Sequence, residues 1–198
     1  MKVIVIGATG AIGRHVTAAL EQEHEVIKVG KSSGDVQVDI NSPDSIRDLF
    51  ERTGPFDALV NVSGDAHFGP LKEMTDKEFR EGIDSKLMGQ VNLVLIGQHY
   101  INKKGSFTLT TGVLTEQPIQ GGANPSAVNG AVEAFVRAAA VELENGVRVN
   151  AVSPSVVEAT PKYFPFFPGF MPVAMERVQY GYLRSVLGVG TGEVIRVH

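Results

Sequence analysis

Lys2-Val3-Ile4-Val5-Ile6-Gly7-Ala8-Thr9-Gly10-Ala11-Ile12-Gly13 decides the fold. A short apolar run of strand type leads into three glycines, and a helical pattern opens directly behind them. The glycines have separate physical roles in such a turn. One permits a sharp reversal, another lets backbone amides approach a pyrophosphate, and a third lets the helix pack on the strand. The helix N-terminus then offers an anion its unpaired N–H groups and the positive end of its dipole. The segment predicts a dinucleotide-binding β-α turn, with an ordinary tight turn as the plainer alternative.

Working outward, 198 residues suffice for one domain, 1–198, with a substantial core. A hydrophobic fraction of 43% and a charged fraction of 20% suit a soluble globular chain. No apolar run approaches the ~20 residues of a membrane span, so no membrane partner is expected. The first residues lack the basic, apolar and cleavage regions of a signal peptide, which points to a cytoplasmic location. Without cysteine there are no disulfides, thiolate nucleophiles or cysteine-ligated zinc. The histidines show no tight ligand spacing, so no metal is expected. A net charge of −4 without a basic cluster argues against nucleic acid as a partner.

Short apolar runs alternate with amphipathic segments throughout, the pattern of a parallel sheet covered on both faces. Strands are predicted near 2–6, 25–29, 36–38, 57–61, 105–110, 147–152 and 193–197. Helices are predicted near 11–22, 43–52, 76–101, 126–144 and 173–185. Asn41-Ser42-Pro43-Asp44 supplies a cap with proline in the first turn, and Gly54-Pro55 stops that helix. The expected fold is α/β: a single-domain, Rossmann-type, doubly wound and mostly parallel sheet of about seven strands with helices on both faces. Its binding crevice lies at the carboxyl ends of the strands.

Residues 160–172, Thr-Pro-Lys-Tyr-Phe-Pro-Phe-Phe-Pro-Gly-Phe-Met-Pro, are too rich in proline for a long helix. They suit an aromatic flap over the crevice, a partner-binding surface, or a loop whose phenylalanines pack on the body.

Asp57-Ala58-Leu59-Val60-Asn61-Val62-Ser63-Gly64 resembles the Asn-Asn-Ala-Gly segment of short-chain dehydrogenases/reductases. Gly146-Val147-Arg148-Val149-Asn150-Ala151-Val152-Ser153-Pro154 is similar to that family's strand ending in Pro-Gly, with Ser155 in place of the glycine. Thr191-Gly192 resembles the pair that leads into its last strand. The likeness runs nearly the whole chain, although the glycine turn is spaced GxxGxxG rather than GxxxGxG, with Ala11 at the usual middle glycine.

The resemblance implies that Gly7, Thr9, Ile12 and Gly13, with Gly10 in the same turn, line cofactor phosphates. It implies Asp39 and Ile40 at the adenine, and Asn61, Ser63 and Gly64 at the adenosine ribose and neighbouring backbone. Pro154, Val157 and Thr160 match the stretch that meets the nicotinamide carboxamide and the diphosphate. Asp39 as a helix cap and Asn61 as a sheet brace are the structural alternatives. Cofactor choice falls on Val29-Gly30-Lys31-Ser32-Ser33-Gly34, at the end of the second strand. Lys31 and Ser32 suit a ribose 2′-phosphate, which favours NADP over NAD. Asp35, aimed at the ribose by a shifted turn, would reverse that choice, and Lys31 as a plain surface residue would leave it open.

The family's Asn-Ser-Tyr-Lys set is missing. Alignment puts Lys86 at the asparagine, Gly112 at the serine, Pro125 at the tyrosine and Asn129 at the lysine. No tyrosine lies between Tyr100 and Tyr163 and no lysine between Lys104 and Lys162, so no shift of register restores the pair. Proline cannot exchange a proton, and asparagine cannot supply the charge that depresses a phenol pKa. Lys86, Thr111, His67 and Tyr163 are the remaining candidates for chemistry, each with an unremarkable structural role as its alternative.

Helix 126–144 carries two apolar stripes: Val128, Val132, Phe135, Ala139 and Leu143, and Ala127, Ala131, Ala134, Ala138 and Val141. One covers a sheet. The second suggests a homodimer or homotetramer through helices 76–101 and 126–144, or burial under the flap. Two functions stay open: an oxidoreductase on a small carbonyl or alcohol substrate with a nonstandard proton donor, and an inactive dinucleotide-binding redox sensor or partner-binding protein.

Overall fold

The computed structural model describes residues 1–198. Its seven strands are β1 (Lys2–Ile6), β2 (Glu25–Gly30), β3 (Val36–Gln37), β4 (Phe56–Asn61), β5 (Ile101–Thr110), β6 (Arg148–Pro154) and β7 (Val194–Val197). They form one sheet in the order β3-β2-β1-β4-β5-β6-β7, and every neighbouring pair is parallel. The order reverses between β1 and β4, which opens a crevice beyond their carboxyl ends.

Helices cover both faces because strand residues alternate between them. Ile4 and Ile6 of β1 join a core cluster with Leu49 and Phe50 of α2 (Pro43–Thr53) and Val132 and Val136 of α5 (Ala123–Glu142). Val3 and Val5 face the opposite way, toward Val16 and Leu20 of α1 (Gly13–Leu20) and Val178 and Tyr182 of α6 (Met175–Leu187). Buried on both faces, these strands read as continuous apolar runs rather than alternating ones.

Ser42 caps α2 by accepting from the Ser45 amide at 3.2 Å, with Pro43 in the first turn, and Gly54 ends the helix at φ +67. The expected single helix over 76–101 is three pieces instead: α3 (Asp76–Gly82), a π-helical stretch (Ile83–Gly89) and α4 (Gln90–Gly97). A capping box of Thr75 and Glu78 starts α3. At the wide turn the Gln90 amide N–H bonds the Leu87 carbonyl, and the Gln90 side chain takes the Lys86 carbonyl at 2.9 Å. The side chain thus satisfies an acceptor that a regular α-helix would have matched to the Gln90 backbone. Strand β5 begins earlier than expected, at Ile101, because it includes a bulge: Phe56 pairs with Ile101, but Ala58 pairs with Ser106.

The outer stripe of α5 lies open, with Ala127, Ala134, Ala138 and Val141 exposed and Ala131 half-buried. Within 160–172 a short 3₁₀ helix (Pro161–Phe166) leaves Tyr163 and Phe166 exposed, while Val157 and Val173 form a bridge at its base. No helix is long and apolar enough to cross a membrane.

Candidate active site

Two cavities share the crevice. The larger, about 800 Å³, is lined by the expected residues Gly7, Thr9, Gly10, Lys31, Ser32, Asp39, Ile40, Ser63, Gly64 and Thr160. The smaller, about 340 Å³, takes in Ile12, Pro154, Val157 and Thr160. Gly64, Asp65, Thr160 and Tyr163 border both, so the two are compartments of one site.

The glycine turn is built for close backbone approach. Gly7 has φ +80, and its amide donates to the Val29 carbonyl at 2.8 Å, which fixes the turn beside β2. A Cβ on Gly13 would lie 1.9 Å from the Gly7 carbonyl oxygen, so only glycine lets α1 begin here. Gly13 and Asn61 line neither cavity. Gly13 serves the turn, and the wholly buried Asn61 braces it. The Asn61 Nδ2 donates to the Ser63 carbonyl at 3.0 Å and to Gln90 Oε1 at 3.1 Å, while its Oδ1 accepts from the Ser63 hydroxyl at 2.7 Å.

Beyond β2, Lys31, Ser32 and Ser33 face the larger cavity, and Asp35 does not. The Asp35 carboxylate accepts from the Lys28 amide at 2.9 Å and is thereby turned back onto β2. Lys31 lies 3.6 Å from Asp39, an exposed pair. Ser42, not Asp39, caps α2; Asp39 Oδ1 accepts from the Asn41 amide at 3.0 Å. Gly turn, hydroxyls, a lysine and the volume together fit a dinucleotide, with the phosphates at the N-terminus of α1 and the adenosine end against Lys31, Asp39 and Ile40.

In the smaller cavity, Gly112, Pro125 and Asn129 stand together with Lys86 and Thr111. The Lys86 stem packs on Gly64, where an added Cβ would come within 3.2 Å of Lys86 Cδ. Its amine makes no ion pair. Burial pushes its pKa down to about 8, opposed by the Asp65 carboxylate, which favours the charged form. The Thr111 hydroxyl reaches the Val152 carbonyl only at 3.5 Å. Asn129 is nine-tenths buried, and its Oδ1 has no partner.

His67 lies outside both cavities: its Nδ1 is 3.3 Å from Glu81, its Nε2 3.9 Å from Glu78, and its amide donates to Asn124 Oδ1 at 2.9 Å. Tyr163 borders both compartments from the 160–172 segment, with Lys162 4.9 Å from its ring. Sequence reasoning overlooked Asp65, Lys162 and Gln90. Position alone marked Asp65, directly after Asn61-Val62-Ser63-Gly64. Gln90 carried no local signal, because its partners come from other elements.

A family model described as enoyl-(acyl carrier protein) reductase matches residues 2–178. The solved structure of the protein lin1944 from Listeria innocua is 48% identical, with a TM-score of 0.99 and full coverage of both chains. A small-chain dehydrogenase solved in complex with NADPH is 28% identical, with a TM-score of 0.88 over 100% of this chain and 96% of that one. A short-chain dehydrogenase/reductase, ATR9 of Stachybotrys chlorohalonatus, is 33% identical over 103 residues, which cover 51% of this chain and 40% of that relative. Sheet order, glycine turn and these likenesses converge: the chain belongs to the short-chain dehydrogenase/reductase family.

Proposed function

We propose that this protein is an NADP-dependent reductase of a small carbonyl compound in which Lys86 supplies the proton. The observation that carries the reading is Lys86, with an amine pKa near 8, in the wall of a cavity that opens onto the dinucleotide-sized one. When bound, the dinucleotide supplies the hydride. The chain has to hold the substrate carbonyl, exclude water and provide one proton to the oxygen. Val113, Leu114, Val156 and Phe167 give this cavity an apolar side for the carbon skeleton of a substrate. The Lys86 ammonium donates from Nζ to the substrate oxygen and is recharged from solvent. Asn129, beside Gly112 in the wall, offers its side-chain amide as a hydrogen-bond donor to the bound molecules.

Preference for NADP rests on Lys31, Ser32 and Ser33 at the cavity rim and on Asp35 being turned away. The NADPH complex of the 28% identical relative supports the same choice. The uncovered alanine stripe of α5, beside exposed Leu95 of α4, supports a homodimer or homotetramer built on these two helices. The absent Tyr-Lys pair favours the competing reading, a dinucleotide-binding sensor without turnover.

Titration with NADPH and NADH, then a carbonyl panel followed by cofactor absorbance, tests this reading. Turnover that disappears in Lys86→Met while NADPH still binds is the expected result. Binding without turnover on any substrate would favour the sensor, and no binding of either nucleotide at millimolar concentration would end the cofactor assignment.

A further inference from the structure

We propose that the chain carries a second anion site, for the phosphate or diphosphate group of a small organic molecule, at the end of the sheet opposite the crevice. A cavity of about 540 Å³ opens there between the β5 bulge, the start of β6 and the end of α6. Its walls include Lys103 and Lys104 from the bulge, Arg148 from β6, and Leu187 and Val189 from the chain at and beyond the end of α6.

Of the three cations Arg148 is held in place, and the wall sets one carboxylate, Asp57, against them. Arg148 donates to the carbonyls of Ser185 at 2.7 Å, Val186 at 2.8 Å and Gly190 at 3.3 Å, so its guanidinium is anchored at the end of α6. Burial lowers its pKa, and no carboxylate lies close enough to offset that cost. Neither lysine makes an ion pair; the chain's ion pairs all involve other side chains. The carboxylate in the wall, Asp57, is already engaged by the Lys2 amide and by Asn102 Nδ2, both at 2.7 Å, and these bonds hold its pKa below the usual range.

The backbone under the lysines is also unusual. Lys104 and Asn145 are the two non-glycine residues with positive φ, +63 and +56, and the Lys104 amide donates to the Asn145 carbonyl at 3.1 Å. Such backbone persists where its surroundings over-determine it, as at ligand clamps. Three cations against the one carboxylate of Asp57 leave the hollow net positive, which suits a multiply charged anion, with a fixed guanidinium and mobile ammonium groups as complementary partners. Leu187 and Val189, 54% and 95% exposed, give the same hollow an apolar side that suits an organic body attached to the phosphate.

The test is calorimetric titration of the full chain with pyrophosphate at low salt, with and without saturating NADPH, repeated on a Lys103→Gln, Lys104→Gly double variant. Glycine takes the left-handed backbone at 104 without strain, so the variant keeps the fold. Pyrophosphate is expected to bind with NADPH present, and to bind about a hundredfold more weakly in the double variant, as two charge-assisted contacts are lost. NADPH affinity is expected to be the same in both proteins. Absence of binding, complete competition by NADPH, or indifference to the double substitution would overturn the proposal. So would co-sedimentation with phosphatidylglycerol vesicles unaccompanied by pyrophosphate binding, which would make the face a membrane contact. If NADPH itself fails to bind, the cofactor reading falls while the double variant still reports on this cavity.

Discussion

The amide Nδ2 of Asn61 donates to Oε1 of Gln90 at 3.1 Å, with both side chains wholly buried. The same Oε1 accepts from the Thr110 amide at 2.8 Å, and Gln90 Nε2 donates to the carbonyls of Thr110 and Lys86, both at 2.9 Å. One side chain thereby ties the ends of β4 and β5 to the turn that carries Lys86. Because each bond is buried, its loss strands a polar group. Gln90→Ala is expected to lower stability by about 3–4 kcal/mol in urea denaturation, and to weaken turnover more than cofactor affinity.

Lys86→Met should separate chemistry from folding. Its amine titrates near 8 in the folded chain and near 10.5 when solvated. The folded state therefore binds fewer protons between those values, and stability rises as pH increases from 8 to 10.5. Below 8 the charged, half-buried amine opposes folding in full. Removing it is expected to stabilise the protein by about 1–2 kcal/mol at neutral pH, after allowance for partial exposure, and to flatten the alkaline rise in melting temperature. Carbonyl reduction should fall by about a hundredfold or more, the scale of a lost general acid. In the unaltered protein the reduction rate is expected to drop as pH passes about 8, measured with NADPH saturating.

The glycine turn predicts a graded pair. Gly13→Ala puts a methyl 1.9 Å from the Gly7 carbonyl oxygen, a backbone clash that only displacement of α1 relieves. About 2–3 kcal/mol of stability should be lost, as for other overpacked sites, together with NADPH binding. Gly10→Ala meets the same oxygen at 3.3 Å and should cost no more than about 1 kcal/mol. Equal effects of the two, compared by thermal unfolding and fluorescence titration, would show that the contact at Gly13 is not what governs the turn.

At the rim of the larger cavity, Lys31→Ala removes the cation and releases Asp39, 3.6 Å away. A freed carboxylate can accept from a ribose hydroxyl but repels a phosphate. The NADPH dissociation constant is expected to rise about tenfold, the worth of one charge-assisted bond, while that for NADH holds or falls. A fall in NADPH affinity matched by NADH would mean that Lys31 does not read the 2′ position.

Much of this architecture was legible in local sequence because its causes are local. Continuous apolar runs such as Val3-Ile4-Val5-Ile6 mark strands, and Ser42-Pro43 and Gly54 mark the ends of α2. The split of 76–101 was not legible, since it depends on the Gln90 side chain meeting Asn61 and Thr110 across the sheet. His67 looked available from its place near Gly64, yet contacts with Glu81 and Asn124, distant in sequence, hold it elsewhere. Asp35 likewise needed three dimensions to be told apart from a ribose ligand. Lys86 stood out because alignment fixed its place on the helix; that it borders the inner cavity required the fold.

The π-helical stretch at Ile83–Gly89 holds more chain per turn than an α-helix would. It is a store of slack. Deleting one residue there can be absorbed by tightening the coil, with α3 and α4 kept intact. The rotation that follows would swing the Lys86 side chain off the cavity wall, so the slack in this one turn is what sets where the amine stands.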